Sequence, residues 1–148
     1  MYEGGSVRFF VLSLVFTLVG CKASAPASRV SDASLTETYW KLTELMGQPV
    51  PRTGPDTREI HIILKNGGRL QGFAGCNNIM GAFESKDKFS ISFSGLASTR
   101  MACPDMTTED ALKKALEQVD NYSIMGDNLS LSKAKIAPLA RFEAVNLK

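Results

Sequence analysis

The sequence predicts an α+β domain that is mainly β: a curved antiparallel sheet, or a partial (cracked) barrel, packed against one helix. Three observations carry this prediction. From about Glu37 onward, short runs alternate apolar and polar residues, the pattern of strands with one buried face. Turn signals fall between those runs, notably Asn66-Gly67-Gly68 and Gly126-Asp127-Asn128, which supply the positive φ of tight hairpins. One stretch has helical periodicity instead: Leu112, Ala115, Leu116 and Val119 recur at i, i+3, i+4 and i+7.

The N-terminus carries an address. Behind Arg8, the run from Phe9 to Gly20 is apolar and closes on Cys21. A bilayer span needs about 20 apolar residues, so the run is too short to cross and has the layout of a secretory signal over residues 1–20. Its last residues, Leu18-Val19-Gly20-Cys21, resemble the lipobox at which bacterial lipoprotein signal peptidase cuts before a lipidated cysteine. The competing reading is a merely cleaved or buried apolar segment with an incidental cysteine. The lipobox resemblance implies a diacylglyceryl group on Cys21 and an amide-linked third chain such as palmitate. Each buried methylene contributes about 0.8 kcal/mol and two chains suffice for stable anchoring, so attachment would be essentially permanent. Lys22 follows the cysteine, with no aspartate there to retain the protein at an inner membrane. The expected location is the cell envelope, at the outer membrane facing the periplasm if the source is Gram-negative.

Residues 21–36 read as the lipidated cysteine and a tether, because small and polar residues dominate and cannot bury enough surface to fold. Such a tether reaches roughly 20 Å. The domain proper is read as 37–148. Tyr39–Leu45 alternates through Trp40 and Leu42. Gly47 to Pro55 reads as a loop from its glycines and prolines. Glu59–Leu64 and Arg69–Ala74 flank the Asn66-Gly67-Gly68 turn, with Ile60 and Ile62 on one face and His61 and Ile63 on the other. Ile79–Glu84 and Phe89–Ser94 form a further hairpin through Ser85-Lys86-Asp87-Lys88, with Phe89, Ile91 and Phe93 on its half-buried face. Thr107-Thr108-Glu109-Asp110 resembles a helix-capping arrangement with Asp110 in place of the usual Glu. Asn121–Met125, Leu129–Ser132 and Leu139–Val145 complete the strands.

Composition narrows the function. The chain has 148 residues, 44% hydrophobic and 22% charged, which suits one domain. A net charge of +2 without any basic run gives no support to a nucleic-acid partner. Setting Cys21 aside leaves Cys76 and Cys103, which in an exported domain most simply form one disulfide. The chain-entropy account values a loop of that length at roughly 3.5 kcal/mol. Two free thiols, or a reactive thiol, are the competing readings. A catalytic cysteine wants a partner that lowers its pKa, and the one histidine, His61, sits in an ordinary strand pattern and reads as solvent-facing. Metal binding is weakly supported, since zinc needs three or four suitably spaced ligands and the chain has a single histidine and no Cys-x-x-Cys pair. Glu109 and Asp110 read as acids favoured by the helix dipole rather than as a general acid and base. No glycine-rich phosphate loop or serine elbow appears, and no cofactor is expected.

The segments Gly75-Cys76-Asn77-Asn78 and Ser98-Thr99-Arg100-Met101-Ala102-Cys103, with the acidic helix start after them, resemble the META domain family, which includes the HslJ-type heat-inducible lipoproteins. The resemblance runs from about Trp40 to about Val145. It implies a small antiparallel β-structure with one helix, similar to the cracked barrels of secretin pilotins. It also implies secreted or membrane-anchored placement, a link to stress tolerance and no established enzymatic activity. Two accounts of the motif residues stand side by side. In the structural one, Gly75, Asn77 and Asn78 form turns, Arg100 ties loop groups together, and Cys103 fastens the loop to Cys76. In the other, Asn77, Asn78, Thr99 and Arg100 form a recognition loop facing a ligand.

Three functions follow as expectations. The first is a noncatalytic envelope lipoprotein that binds or stabilises another envelope component, with a peptide or acyl chain in an apolar groove of the half-open barrel. Phe73, Phe83, Phe93 and Leu116 are candidates to line that groove or to fill the core. The second is a purely structural or stress-protective anchor without a specific ligand. The third, a hydrolase or redox enzyme, is disfavoured by the missing motifs.

Overall fold

The computed structural model describes Met1 and residues 32–51 and 58–145. The apolar run 9–20, Cys21 and the tether as far as residue 31 lie outside the described residues. Strand β1 (Tyr39–Leu45) buries Trp40, Leu42 and Leu45. Met46 and Gly47 then both take positive φ, 51° and 78°, and fold a short β2 (Gln48–Pro49) back onto β1. The stretch read as a loop from Gly47 to Pro55 therefore opens with a tight hairpin. Two successive positive φ values suit such a turn, but its residues are Met-Gly rather than the recognisable Asn-Gly.

Strand β3 (His61–Lys65) turns through Asn66-Gly67-Gly68 into β4 (Arg69–Phe73). Next come β5 (Asn78–Glu84), β6 (Ser92–Ser98) and helix α1 (Thr107–Gln118). The chain ends in β7 (Asn121–Met125), β8 (Asn128–Ser132) and β9 (Pro138–Val145). Spatial order is β6-β5-β4-β3-β1-β9-β8-β7, antiparallel throughout, with β2 paired to β1. The sheet curves without closing into a barrel. Its two ends approach where Tyr122 N donates to Phe89 O at 2.7 Å and Ile91 N to Asp120 O at 3.2 Å, around an isolated Ser90–Asn121 bridge. Helix α1 bridges the concave face, touching β6, β9 and β1. Among the described residues no helix is long and apolar enough to cross a membrane.

The β5–β6 hairpin differs from expectation. The second strand begins at Ser92, not Phe89, and Phe89 is 62% exposed. Asp87 Oδ1 accepts from Phe89 N and Ser90 N, both at 2.7 Å, so the side chain turns the backbone away before pairing with β5 begins. The helix start also differs. Met106 is the N-cap and makes no side-chain cap bond, while Asp105 Oδ1 accepts from Thr107 N at 2.8 Å. Thr107 is thus already inside the helix, and Asp110 pairs with Lys113 instead.

Residues 32–36, which sequence reading places in the tether, are bound into the fold. Asp32 Oδ1 accepts from Gly126 N at 2.7 Å, Ala33 N donates to Gly126 O at 2.9 Å, and Leu35 O accepts from Trp40 Nε1 at 3.0 Å.

The space between sheet and helix is filled. Trp40, Ile62, Leu64, Leu116, Leu129 and Phe142 are fully buried in one cluster. Phe83 and Leu116 belong to that core and Phe93 packs against it. Phe73 lies under the Arg58 guanidinium, whose Cζ is 4.4 Å from the ring centroid. These residues do not line an interior groove, because the helix occupies the concavity that such a groove would need.

Candidate functional site

The motif residues build a knot between the β4–β5 turn and the chain after β6. Gly75 takes φ +115°, a conformation that side chains rarely adopt, and sets up the turn. Cys76 and Cys103 are joined as a disulfide with Cα atoms 6.1 Å apart. Asn77 is 1% exposed. Its Oδ1 accepts from Thr99 Oγ1 at 2.8 Å and from Met101 N at 2.7 Å, and its Nδ2 donates to Met101 O at 3.2 Å. Thr99 Oγ1 in turn accepts from Asn78 N at 3.1 Å. One buried amide thus satisfies the backbone of a loop that has no ladder of its own.

Glu109 completes the knot from the first turn of α1. It is 1% exposed, and its Oε2 accepts from Asn77 N at 2.9 Å. Lys113 Nζ lies 3.4 Å from Oε1, one helical turn on. Burial pushes this carboxyl's pKa up. Hydrogen bonds from Asn77 and Ser98, together with the Lys113 charge, outweigh burial and hold the pKa below its usual value. The acid therefore stays ionised as an acceptor. Its role was hidden behind the helix-dipole reading, yet the sequence held a signal: residues 109, 112 and 116 share one helical face, placing an acid on the apolar stripe.

Of the four residues proposed as a recognition loop, Asn77 points inward and three reach the surface. Asn78, Thr99 and Arg100 are exposed. The tie expected of Arg100 is absent among the described residues; its guanidinium makes no hydrogen bond to any of them, and Asn77 does the binding instead. Beside it lies a depression of about 600 Å³ lined by Thr99, Arg100, Met101, Met106 and Lys113.

Asn78 links the knot to a larger trough of about 810 Å³ on the outer face of β3, β4 and β5. Asn78 Oδ1 accepts from Arg58 Nη1 at 2.8 Å, fixing the guanidinium over Phe73. Arg58, His61, Ile63, Arg69, Gln71 and Met80 surround the trough. At Gly72 the lining is bare backbone, and a Cβ there would sit 2.2 Å from His61 O.

His61 is not solvent-facing. It is 6% exposed, stacked on Tyr39 with ring centroids 4.2 Å apart. Its Nδ1 lies 2.9 Å from Glu59 O, so Nδ1 carries the proton and the neutral ring keeps a lone pair on Nε2. Burial lowers its pKa; the Arg58 charge acts in the same direction, against the Glu59 carbonyl. Sequence alternation placed His61 on the outer face correctly but held no sign of the Tyr39 ring that covers it. Among the described residues, no group of three or more His, Cys, Asp or Glu side chains is placed to hold a metal ion. The polar groups lining the trough are the Arg58 and Arg69 guanidinium groups, the Gln71 and Asn78 amides and the His61 imidazole.

The architecture is that of a small curved-sheet module closed by one helix and fastened by a single disulfide. A META domain model matches residues 33–146, and the chain belongs to that family. No functionally curated protein shows significant similarity to it. The fold is similar to that of an NMR structure from Burkholderia xenovorans, at a TM-score of 0.57 and 24% identity over 84% of this chain and 99% of that one. A second NMR structure matches at a TM-score of 0.57 and 20% identity, over 74% of this chain and 90% of that one.

Proposed function

We propose that this META-domain chain is a noncatalytic envelope lipoprotein, anchored through Cys21, whose β-module binds or stabilises another envelope component and so contributes to stress tolerance. The observation that carries the reading is the open trough between Arg58 and Arg69, already rigid because β3, β4 and β5 form its floor. Binding residues held on a rigid sheet lose little freedom when a partner arrives. With the concave interior filled, an acyl chain or peptide would be met on an outer face, and this trough has the cationic groups of Arg58 and Arg69 along it.

The test is photo-crosslinking in intact cells from a probe at Gln71, on the trough wall. A discrete adduct, lost when Arg69→Ala is added to an otherwise folded protein, supports the reading. Absence of any adduct from Gln71 and from Arg100 would favour the second reading, a structural anchor without a ligand. The specific observation behind that alternative is the filled interior itself.

A further inference from the structure

A second face bears on how the molecule meets its membrane. Phe89, Met125 and Ile136 are 62%, 76% and 73% exposed, and all three line one groove of about 410 Å³ on the outer face of β7 and β8. Between them the groove is lined by Tyr122, Ser123, Ser130, Ser132 and Arg141. Lys133 and Lys135, both exposed, adjoin Ile136 in the β8–β9 turn. Scattered exposed apolar residues are ordinary, but three around one groove mark a contact surface.

The chain's own attachment says what covers that surface. Asp32 and Ala33 are hydrogen-bonded to Gly126, the residue immediately after Met125. The described chain thus leaves the domain at the β7–β8 turn. Only residues 22–31 separate Asp32 from Cys21, and a chain spans at most about 3.5 Å per residue, which keeps the two within about 40 Å whatever path is taken. A lipid on Cys21 therefore keeps this end of the domain within about 40 Å of the bilayer. Resting on the reading of Cys21 as lipidated, we infer that the Phe89–Met125–Ile136 face docks on the bilayer interface, its apolar side chains entering the headgroup–acyl boundary and Lys133 and Lys135 meeting lipid phosphates. Interfacial contacts of this kind reach about 5–10 Å into the boundary region. The trough lies on β3 to β5, across the curved sheet, and would stay turned away from the bilayer for a partner.

The test uses the full-length protein, processed in cells and reconstituted into vesicles of phosphatidylcholine and phosphatidylglycerol with brominated acyl chains. Single variants Met125→Trp, Ile136→Trp and Lys114→Trp report contact with bromine; Lys114, exposed on α1 and outside both the groove and the trough, is the control. Trp40 is fully buried and common to all three, so it adds the same background emission to each, and far-ultraviolet circular dichroism reports an intact fold. The expected result is quenching at 125 and 136 at least about twofold greater than at 114, because only inserted side chains reach the depth of the bromines. Mass spectrometry of the same sample reads the acyl groups on Cys21. Lipidated protein with equal or absent quenching at all three positions overturns the docking and leaves the anchor standing. A Cys21 without acyl groups overturns both.

Discussion

Asn77 shows how one side chain can decide between two accounts of a motif. A turn former beside a cysteine reads equally well as a ligand contact or a brace. Its burial, with three amide hydrogen bonds into residues 99–101, makes it a brace. Asn77→Ala removes acceptor and donor together and leaves Met101 N unsatisfied, so equilibrium urea unfolding should show a loss of about 2–3 kcal/mol. His61 gives a pH prediction. Its folded pKa lies below the ordinary 6.5, so the unfolded chain takes up a proton that the folded one refuses. The stabilisation is therefore complete above about pH 6.5 and declines as pH falls toward the folded pKa. His61→Gln should flatten the stability profile in that window, as read by thermal melts across pH. A slope unchanged by the substitution would remove His61 as its source. Glu109 adds a second acid-side decline. Its lowered pKa means stability present above 4.5 is lost as pH drops through the folded value.

Elements follow from local rules until a side chain or a turn intervenes. The apolar stripe of α1 was legible because 3.6-residue periodicity needs no knowledge of the partner: Leu112, Ala115, Leu116 and Val119 are all buried. The strand cores were legible for the same reason, with period two. Boundaries failed where backbone groups found other partners, as at Asp87 before β6 and Asp105 before α1. The loop between β6 and α1 has no periodicity and is held by the knot and the disulfide. With a sequence separation of 27, the Cys76–Cys103 bridge restricts the unfolded chain by roughly 3.5 kcal/mol. Cys76→Ala with Cys103→Ala should lower the unfolding free energy by about that amount while far-ultraviolet circular dichroism keeps its strand signature. A loss below about 1 kcal/mol would show that Asn77 and Glu109 hold the loop without help.

For the whole molecule, the central position of β1 between β3 and β9 sets where stability is concentrated. Amides of Trp40 and Ile62 should exchange only on global unfolding, whereas those of edge strand β7 should exchange through local fraying. Phe142→Ala, which opens a cavity against β1 and α1, should be destabilising by about 3–5 kcal/mol in denaturant titration. By itself, the sequence determined the mainly antiparallel class with one helix and the residues of the META motif. Each is written in local order: period two or 3.6, and turn residues at fixed offsets. Only the tertiary structure decided that the concavity is filled, that Asn77 faces in while Arg100 faces out, that Tyr39 covers His61, and that the chain enters beside Met125. Alternation says on which side of a strand a residue lies. What arrives to cover that side depends on curvature and on strands distant in sequence, which no local pattern records.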